Sequence, residues 1–371
     1  RLPCSGSMAG VPQMSVGNSF RDSITSRGLA LVRWPLVMCI VAVHVFADSP
    51  FVAGGIDYTP GTAVSALTLF VRAFLSENGV ATFFFISGFL FMAGGQLDKT
   101  KYRSKVGRRV HSLLVPYMLW NLIALLYFLV LVWHSATDGV DIAGWLGGFV
   151  MSRHSAMPHD PAMWFIRDLM LCVVAVPPMY VLMKHKWPSL AVLCLMFAVC
   201  VCIFPASGSY AQLVVSALVF FFWGMWMAMH YPDLAGVFRR VFVPCLVLYP
   251  LLGGLLMVLY PANESMAMVV KCLSLIVVVP LVVDIACWCA GRGMVANRFL
   301  TGAAFFVFAS HCIVLFHFKV LVFYLVQPRS EAAMALTFVC MYVLLLGFLL
   351  GTFAILKRVF PAIANLLTGK R

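Results

Sequence analysis

The sequence contains about ten runs of mostly apolar residues, each near the length that an α-helix needs to cross a bilayer, which is roughly 20 residues. Short polar segments separate the runs. Inside a bilayer the backbone polar groups must be paired within the protein, which favours helices. The chain is therefore predicted to be an all-α, polytopic membrane protein. The predicted spans are 29–47, 78–95, 112–133, 162–183, 187–205, 210–229, 241–259, 266–289, 299–326 and 333–356.

Composition and charge agree with a membrane protein. Of the 371 residues, 63% are hydrophobic and 11% are charged, whereas soluble domains are about 45–50% apolar and about 25% charged. The 26 Lys and Arg outnumber the 13 Asp and Glu, an excess that is also typical of nucleic-acid-binding proteins. Alternating the loops across the membrane places 20 of the 26 basic residues on one side. By the positive-inside rule that side is the cytoplasm, with both termini there, and no nucleic-acid partner is expected.

A single membrane domain is predicted. Residues 1–20 contain Gly, Ser and Pro and are interpreted as a flexible N-terminal arm, 21–360 as the membrane-embedded domain and 361–371 as a cytoplasmic tail. The segment 62–77 is amphipathic and is expected to lie along the membrane before the second span. No cleavable signal peptide is expected, because the first apolar run lacks a small-residue cleavage pattern.

Arg33 and His44 lie in the first predicted span, eleven residues apart. At about 100° per residue this is close to three whole turns, so both side chains face the same way, about 16 Å apart along the axis. Ionisable groups within a span usually face a cavity or a partner. Neutral imidazole accepts a proton near neutral pH, which makes His44 the best candidate for a base. In the alternative interpretation, Arg33 extends to the headgroups and His44 hydrogen-bonds a neighbouring helix.

A second group of polar residues lies at the outer entrance of the fourth span, in the sequence Trp164-Phe-Ile-Arg167-Asp168. Adjacent residues do not share a helix face, so Arg167 and Asp168 are each expected to find a separate partner or water. Such a pair often only marks a helix interface. In the aromatic run 83–90, Ser87 and Gly88 favour close approach of another helix, which is a packing role.

Further ionisable residues lie in the later spans. Lys271 and Asp284 are about 140° apart on their helix, which argues against a pair within it, and His311 and His317 are about 120° apart. One of these two histidines can thus face a cavity while the other meets a neighbour or headgroups. Most of the twelve cysteines lie in apolar runs and are interpreted as small hydrophobic residues, and their spacing predicts no metal site.

Six basic residues fill the segment before the third span, ending in Arg108 and Arg109. Most such clusters set the topology and contact anionic lipid. The sharper interpretation is a cradle for a phosphorylated cytoplasmic ligand, because Arg forms forked bonds to phosphate.

Taken in order, these motifs resemble acyltransferase family 3, integral-membrane enzymes that acetylate or otherwise acylate surface polysaccharides and related glycans. The resemblance covers roughly 20–360. It rests on Arg33-x10-His44, the Phe-Phe-Phe-Ile-Ser-Gly-Phe-Leu run, the basic stretch leading to Leu114-Val-Pro-Tyr-x2-Trp120, and Trp164-Phe-Ile-Arg-Asp-Leu. Residues 305–311 are similar to the family's Phe-x-Ile-Tyr-x2-His stretch, with Val307-Phe308 in place of Ile-Tyr.

The resemblance implies a donor, acetyl-CoA or a similar acyl-CoA, that enters from the cytoplasm. His44 is then expected to activate the acceptor hydroxyl as a general base. Asp168 is a second catalytic candidate, because of its place at the entrance of the fourth span and not because of the resemblance. Arg33 is expected to help hold the donor. Many relatives carry Arg where this chain has Ser112, so phosphate contacts fall to Arg108 and Arg109. The acceptor-binding candidates are Trp164, Arg167, His311 and the outer loop 135–161 with Trp145, His154, His159 and Asp160.

The sequence therefore predicts an O-acyltransferase of the bacterial inner membrane, surrounded by lipid, that moves an acyl group, acetyl first of all, to a hydroxyl of a cell-surface or lipid-linked glycan. The rival interpretation is a transporter or flippase of a lipid-linked sugar or small solute without chemistry, which shares the spans and the intramembrane charges. A structural or sensor protein is a third interpretation, which leaves the alignment of Arg33 with His44 without a purpose.

Overall fold

In a computed structural model of the chain, the described residues are 23–46, 62–76, 78–132, 142–151, 157–203 and 210–369. The predicted arm 1–20 lies outside them. Every regular element within these ranges is helical, which confirms the all-α prediction. The α-helices are α1 (Ile24–Leu31), α2 (Arg33–Val45), α3 (Ala63–Leu69), α4 (Asn78–Met92), α5 (Lys99–Arg109), α6 (Val115–Val132), α7 (Ile142–Gly147), α8 (Trp164–Val174), α9 (Val176–Met183), α10 (Lys186–Ile203), α11 (Tyr210–His230), α12 (Leu234–Ala262), α13 (Glu264–Gly291), α14 (Arg298–Val326), α15 (Glu331–Val359) and α16 (Pro361–Thr368).

Short polar side chains in the connections start many of these helices. Asp98, Asp233, Asn263 and Ser330 accept hydrogen bonds from backbone N–H groups in the first turns of α5, α12, α13 and α15. Such caps satisfy donors that have no partner within the helix. Asn297 does the same for α14, where it receives two N–H groups. The polar separators seen in the sequence therefore act as helix starts.

Each predicted span is helical over most of its length. Six helical stretches are long and apolar enough to cross a membrane, and the described part of the chain also holds shorter apolar helices at Asn78–Met92, Lys186–Cys202 and Val214–His230. The chain is a multi-pass membrane protein. The total of ten spans and the side on which the termini lie remain predictions. The six stretches are Ile24–Val45, Lys99–Val130, Leu234–Ala262, Glu264–Gly291, Arg298–Val326 and Glu331–Val359.

The fourth predicted span, 162–183, is not one straight helix. It forms α8 and α9, which meet at an angle of 55°. Pro177 and Pro178 occupy the start of α9, and proline supplies no N–H to the preceding turn. The segment 62–77 contains α3 followed by a π-helical turn, Phe70–Ser76.

The interior of the bundle lies around α2, α4, α13 and α14. In the most apolar stretches of α13 and α14, 61% of the residues are buried, against 11% in α12. Helix α12 packs along α13 and presents the rest of its apolar surface outward, as a lipid-facing helix does. The first span therefore faces a core to which α4 contributes as well as the last third of the chain.

Two glycines allow α4 and α11 to touch along their backbones. A Cβ atom on Gly88 would collide with the backbone carbonyl of Phe221, and one on Gly224 with that of Phe85. Small residues at such crossings are a common device of membrane helices. The packing role predicted for Gly88 is confirmed, whereas Ser87 faces a cavity.

Candidate active site

One face of α2 lines two adjoining cavities. Arg33, at the first residue of the helix, lines the larger cavity, and His44, near its last residue, lines the smaller one. The predicted common face of the two residues is thus a stripe along these cavities. Ile40, between them, contributes to both.

The larger space, called here the cationic cavity, has a volume of about 720 Å3. Four basic side chains line it, and among the described residues none of them forms an ion pair with a carboxylate. The guanidinium of Arg109 also lies 4.6 Å from the ring centre of Phe91, an arrangement that orients its charge. Polar Ser112 and Ser87 add hydroxyl groups. The four basic residues are Arg33, Arg109, Arg298 and Lys357.

The smaller space, called here the histidine cavity, has a volume of about 270 Å3. His44 and Lys271 are its ionisable side chains, and Ser216 gives a hydroxyl. Trp164 forms part of the wall, as a flat surface of the kind that sugar rings stack on. The cavity thus combines a proton acceptor, a cation and an aromatic wall.

The ring of His44 lies against His311, with ring centres 5.1 Å apart. His311 is fully buried, and its Nδ1 is 2.5 Å from the carbonyl oxygen of Phe308. A carbonyl only accepts, so Nδ1 carries the proton and Nε2 is an acceptor. Nε2 in turn lies 3.3 Å from the Sγ of Cys312, whose thiol is then the donor. His311 is held in one tautomer behind the catalytic candidate.

Ligand atoms of His44, His311 and Cys312 lie within 4.8 Å of one another. Two imidazoles and a thiolate are a donor set that suits zinc. The ammonium of Lys319 donates to the backbone oxygen of His44 at 2.9 Å, which puts a positive charge beside this cluster and opposes a cation there. The absence of a metal site therefore stays a prediction.

The bond from Lys319 also fixes the end of α2. The carbonyl of His44 belongs to the last turn of that helix, where carbonyls have no intrahelical N–H partner. A buried ammonium satisfies this group and complements the negative end of the helix dipole. Tyr342 donates to the carbonyl of Met38 at 3.0 Å, six residues earlier in the same helix. Helices α14 and α15 therefore hold α2 at two points.

Asp160 caps the helical turn that leads into α8. Its Oδ1 accepts the N–H of Ala162 at 3.1 Å, and its own N–H donates to Oδ1 of Asn121 at 3.0 Å. Burial raises the pKa of the Asp160 carboxyl well above its usual range. This buried cap positions Ala162 and Trp164, both of which line the histidine cavity.

Arg167 and Asp168 form a buried ion pair with each other, so the expectation that each pairs only on its own side of the helix is wrong. The Nε of Arg167 donates to Oδ1 of Asp168 at 2.8 Å, and its Nη1 donates to the carbonyl of Val150 at 2.7 Å. The Arg167 side chain is long enough to bend along α8 and reach Asp168. Helical spacing predicts only the directions in which the two side chains leave the helix, and these differ by about 100°. Both residues are buried, and neither is among the side chains that line the two cavities.

A family model for the acyltransferase domain of the acyltransferase 3 family matches residues 27–356. The chain belongs to acyltransferase family 3. The match to this acyltransferase family covers every residue that lines the two cavities except Lys357.

The chain is also similar to a curated relative, the "Succinoglycan biosynthesis protein ExoH" of Rhizobium meliloti (strain 1021). The two are 26% identical over 190 residues, which is 47% of this chain and 47% of the relative. The chain thus spans about half the length of the curated relative it matches. No solved structure matches the chain.

The acyltransferase family's motif residues separate into two groups in space. Arg33 and Arg109 meet at the cationic cavity, and His44 and Trp164 line the histidine cavity with His311 behind His44. Arg108 is exposed and does not line either cavity. Roles for Arg108, Arg167 and Asp168 in transfer therefore stay predictions without a cavity contact.

The sequence motifs assigned no site role to several residues that line these cavities, among them Arg298, Lys357, Phe165 and Phe308. Arg298 and Lys357 were counted only as charges of the cytoplasmic side, and their position at the ends of neighbouring spans was the available signal. Phe165 and Phe308 form a wall between the cavities, and nothing in an aromatic-rich sequence distinguishes them from core residues. Of the outer-loop candidates, His154 lies outside the described residues, as does the side chain of Trp145.

Proposed function

We propose that this protein is an O-acyltransferase that moves an acetyl group from acetyl-CoA in the cytoplasm to a hydroxyl of a cell-surface or lipid-linked glycan. The observation that carries the proposal is the pair of adjoining cavities on one face of α2, cationic at Arg33 and histidine-bearing at His44. Membership of an acyltransferase family and the likeness to a succinoglycan biosynthesis protein support the reaction type and a glycan acceptor.

The donor fits the cationic cavity by charge. Coenzyme A carries several phosphate charges at one end and its thioester at the other, joined by a long flexible arm. Arg109, Arg298 and Lys357 bind the phosphates, with Arg as a forked donor to phosphate oxygens. Arg33 lies about 16 Å from His44 along α2, by the rise of the helix. The flexible arm of coenzyme A can cover this distance, from phosphates bound near Arg33 to a thioester near the imidazole of His44.

The transfer itself requires one base. The acceptor hydroxyl oxygen attacks the thioester carbonyl carbon while its proton passes to an imidazole nitrogen of His44. The tetrahedral intermediate then breaks its C–S bond, and the leaving sulfur takes the proton back from His44. The products are the ester, the free thiol of CoA and neutral His44. Lys271, in the same cavity, favours the negative charge that develops on the carbonyl oxygen.

Walls that exclude water favour transfer over hydrolysis. The histidine cavity is bounded mainly by apolar and aromatic side chains, and a site closed to bulk water limits attack of water on the thioester. Arg167 and Asp168 have no step in this scheme. Arg167, held by its ion pair with Asp168, donates to the carbonyl of Val150 and so ties that segment to α8.

Inverted membrane vesicles from cells of the source bacterium test the reaction and its sidedness together. They expose the cytoplasmic face and carry the natural acceptor, so acetyl-CoA labelled in the acetyl group needs no transporter to reach the enzyme. We expect alkali-labile label in the glycan fraction of intact inverted vesicles, and none in vesicles from cells that lack the gene. Label that appears only with right-side-out vesicles would contradict cytoplasmic entry of the donor. A transporter without chemistry would leave the glycan unlabelled in both.

A further inference from the structure

Three side chains line both cavities and so stand between them. They are Ile40 of α2, Phe165 of α8 and Phe308 of α14. All three are apolar and less than a tenth exposed. They come from three separate helices, so the wall is formed only in the assembled bundle. This set is called here the apolar gate.

Aromatic contacts hold the gate in place. The rings of Phe165 and Phe308 meet edge to face, with centres 5.8 Å apart, a favoured geometry for aromatic pairs. Phe84, on the side of the histidine cavity, lies 4.6 Å from the ring centre of Phe165, and Phe83, on the side of the cationic cavity, lies 5.9 Å from it. The gate is therefore a packed wall of rings, with no polar group of its own side chains to carry water across.

The gate lies on the path from the donor phosphates to the base. Ile40 is seven residues after Arg33 and four before His44, which places it about 10 Å from the first and about 6 Å from the second along α2. Five Lys and Arg side chains line the two cavities. Four of them lie on the Arg33 side of the gate, and Lys271 lies beyond it. A thioester held by its phosphates must therefore bring its acyl end to the gate before the carbonyl comes within reach of His44.

We propose that Ile40, Phe165 and Phe308 are specificity-determining residues that set the size of the acyl group admitted to the histidine cavity. This inference rests on the proposed function. The acyl end is the only part of the donor that suits an apolar opening, because the phosphates remain with the cations and their desolvation is costly. A longer acyl chain passes only if the two aromatic rings are displaced further. It must then fit into the histidine cavity of about 270 Å3, which also has to admit the acceptor hydroxyl.

The same wall separates the two cavities. When the donor is absent, closed rings leave no polar path between the cavities, and apolar constrictions block water and ions by dewetting. When the donor is bound, the acyl end fills the opening and water stays away from the thioester. Widening the gate is thus expected to change both acyl selection and hydrolysis.

The test compares acyl chain length with variant side chains in inverted vesicles supplied with acetyl-, butyryl- or hexanoyl-CoA. Phe308→Ala and Ile40→Ala enlarge the opening. For each, we expect the rate of transfer to glycan from butyryl-CoA, divided by that from acetyl-CoA, to rise about tenfold or more, since one or two methylenes in a tight pocket change selectivity by about that factor. Release of CoA without transfer to glycan is expected to rise as well.

Phe323→Ala is the matched control. Phe323 is a buried phenylalanine of the same helix that lines neither cavity, so its loss removes the same volume elsewhere. It is expected to leave the butyryl-to-acetyl ratio at the wild-type value. Phe308→Leu, a smaller change, serves if Phe308→Ala does not reach the membrane.

The outcomes separate this inference from the proposed function. Wild-type vesicles that transfer acetyl, with unchanged chain-length ratios in the Phe308 and Ile40 variants, would overturn the gate and leave the acyltransferase in place. An equal shift in Phe323→Ala would likewise overturn it, because general loosening of the bundle would then be the cause. No transfer from any acyl-CoA by the wild type would overturn both.

Discussion

At the scale of single residues, the position of His44 depends on contacts from far along the chain. The ammonium of Lys319, 275 residues away in sequence, holds its backbone oxygen, and the ring of His311 lies against its imidazole. Helical spacing was enough to predict that His44 shares a face with Arg33. It could not show which of the buried ionisable residues in later spans would reach α2, because that depends on how the helices pack.

Lys319→Met tests this positioning role, since it keeps the apolar stem and removes the charge. We expect kcat to fall about tenfold or more, as for the loss of a hydrogen bond from a charged group, while KM for acetyl-CoA stays near the wild-type value. Lys319→Arg is expected to restore part of the rate. Exposed Lys184 provides the control, Lys184→Met. A change in KM alone would place Lys319 at the donor instead.

Asp160 gives a prediction about stability and pH. Burial raises the pKa of this carboxyl, so the folded state favours its neutral form. The folded protein is therefore expected to lose stability as the pH rises above the ordinary pKa range of an aspartic acid. Asp160→Asn keeps the cap oxygen and removes the ionisation. We expect this variant to melt in detergent at or above the wild-type temperature at pH 8, with less dependence on pH.

Asp160→Ala removes the cap as well and is expected to cost about 1 kcal/mol or more. Melting followed by intrinsic tryptophan fluorescence measures both variants. If Asp160→Asn and Asp160→Ala are destabilised equally at every pH, ionisation of this carboxyl has no part in stability.

At the scale of elements, apolar runs predicted where helices lie, but not how they bend or touch. The fourth run divides into α8 and α9 at a proline pair, and only the structure shows that the resulting angle is 55°. The sequence indicated that Gly88 permits close packing. That its partner is the α11 segment around Phe221 follows from the assembled fold.

Gly88→Ala tests this helix crossing. The added methyl would meet the carbonyl of Phe221, which cannot move without shifting α11, so we expect a loss of about 1–3 kcal/mol and a lower melting temperature in detergent. Gly347→Ala in α15 is the control, because nothing lies within 4 Å of a Cβ placed there. Equal melting temperatures for the two variants would contradict a tight crossing.

At the scale of the whole molecule, the cationic cavity gathers charges from distant parts of the chain. Arg33 begins α2, Arg109 ends α5, Arg298 begins α14 and Lys357 lies in the last turn of α15. The sequence predicts that these residues belong to one side of the membrane. It could not show that they converge on one space while Arg108 points away, since neighbouring residues differ in direction by about 100°.

Lys357 and Arg358 offer a matched pair for the donor site. Lys357 lines the cationic cavity, and its neighbour does not. We expect the combination of Arg298→Gln and Lys357→Met to raise KM for acetyl-CoA about two- to tenfold, the range set by partly screened charges, with little change in kcat. Arg358→Gln is expected to leave KM unchanged. The effect should shrink as salt is raised, and a KM insensitive to both charges would contradict phosphate binding here.

The central claim is that His44 is the base of acetyl transfer, and acetylation of glycan by inverted vesicles measures it most directly. Cells that lack the gene are supplied with the wild-type chain, His44→Ala or His317→Ala, at equal amounts in the membrane. His317 is an exposed histidine of α14 whose Nδ1 lies 2.6 Å from the hydroxyl of Tyr127, away from both cavities. With labelled acetyl-CoA, we expect loss of alkali-labile label in glycan by at least about a hundredfold for His44→Ala and near wild-type labelling for His317→Ala. Undiminished labelling of glycan by His44→Ala would contradict the account.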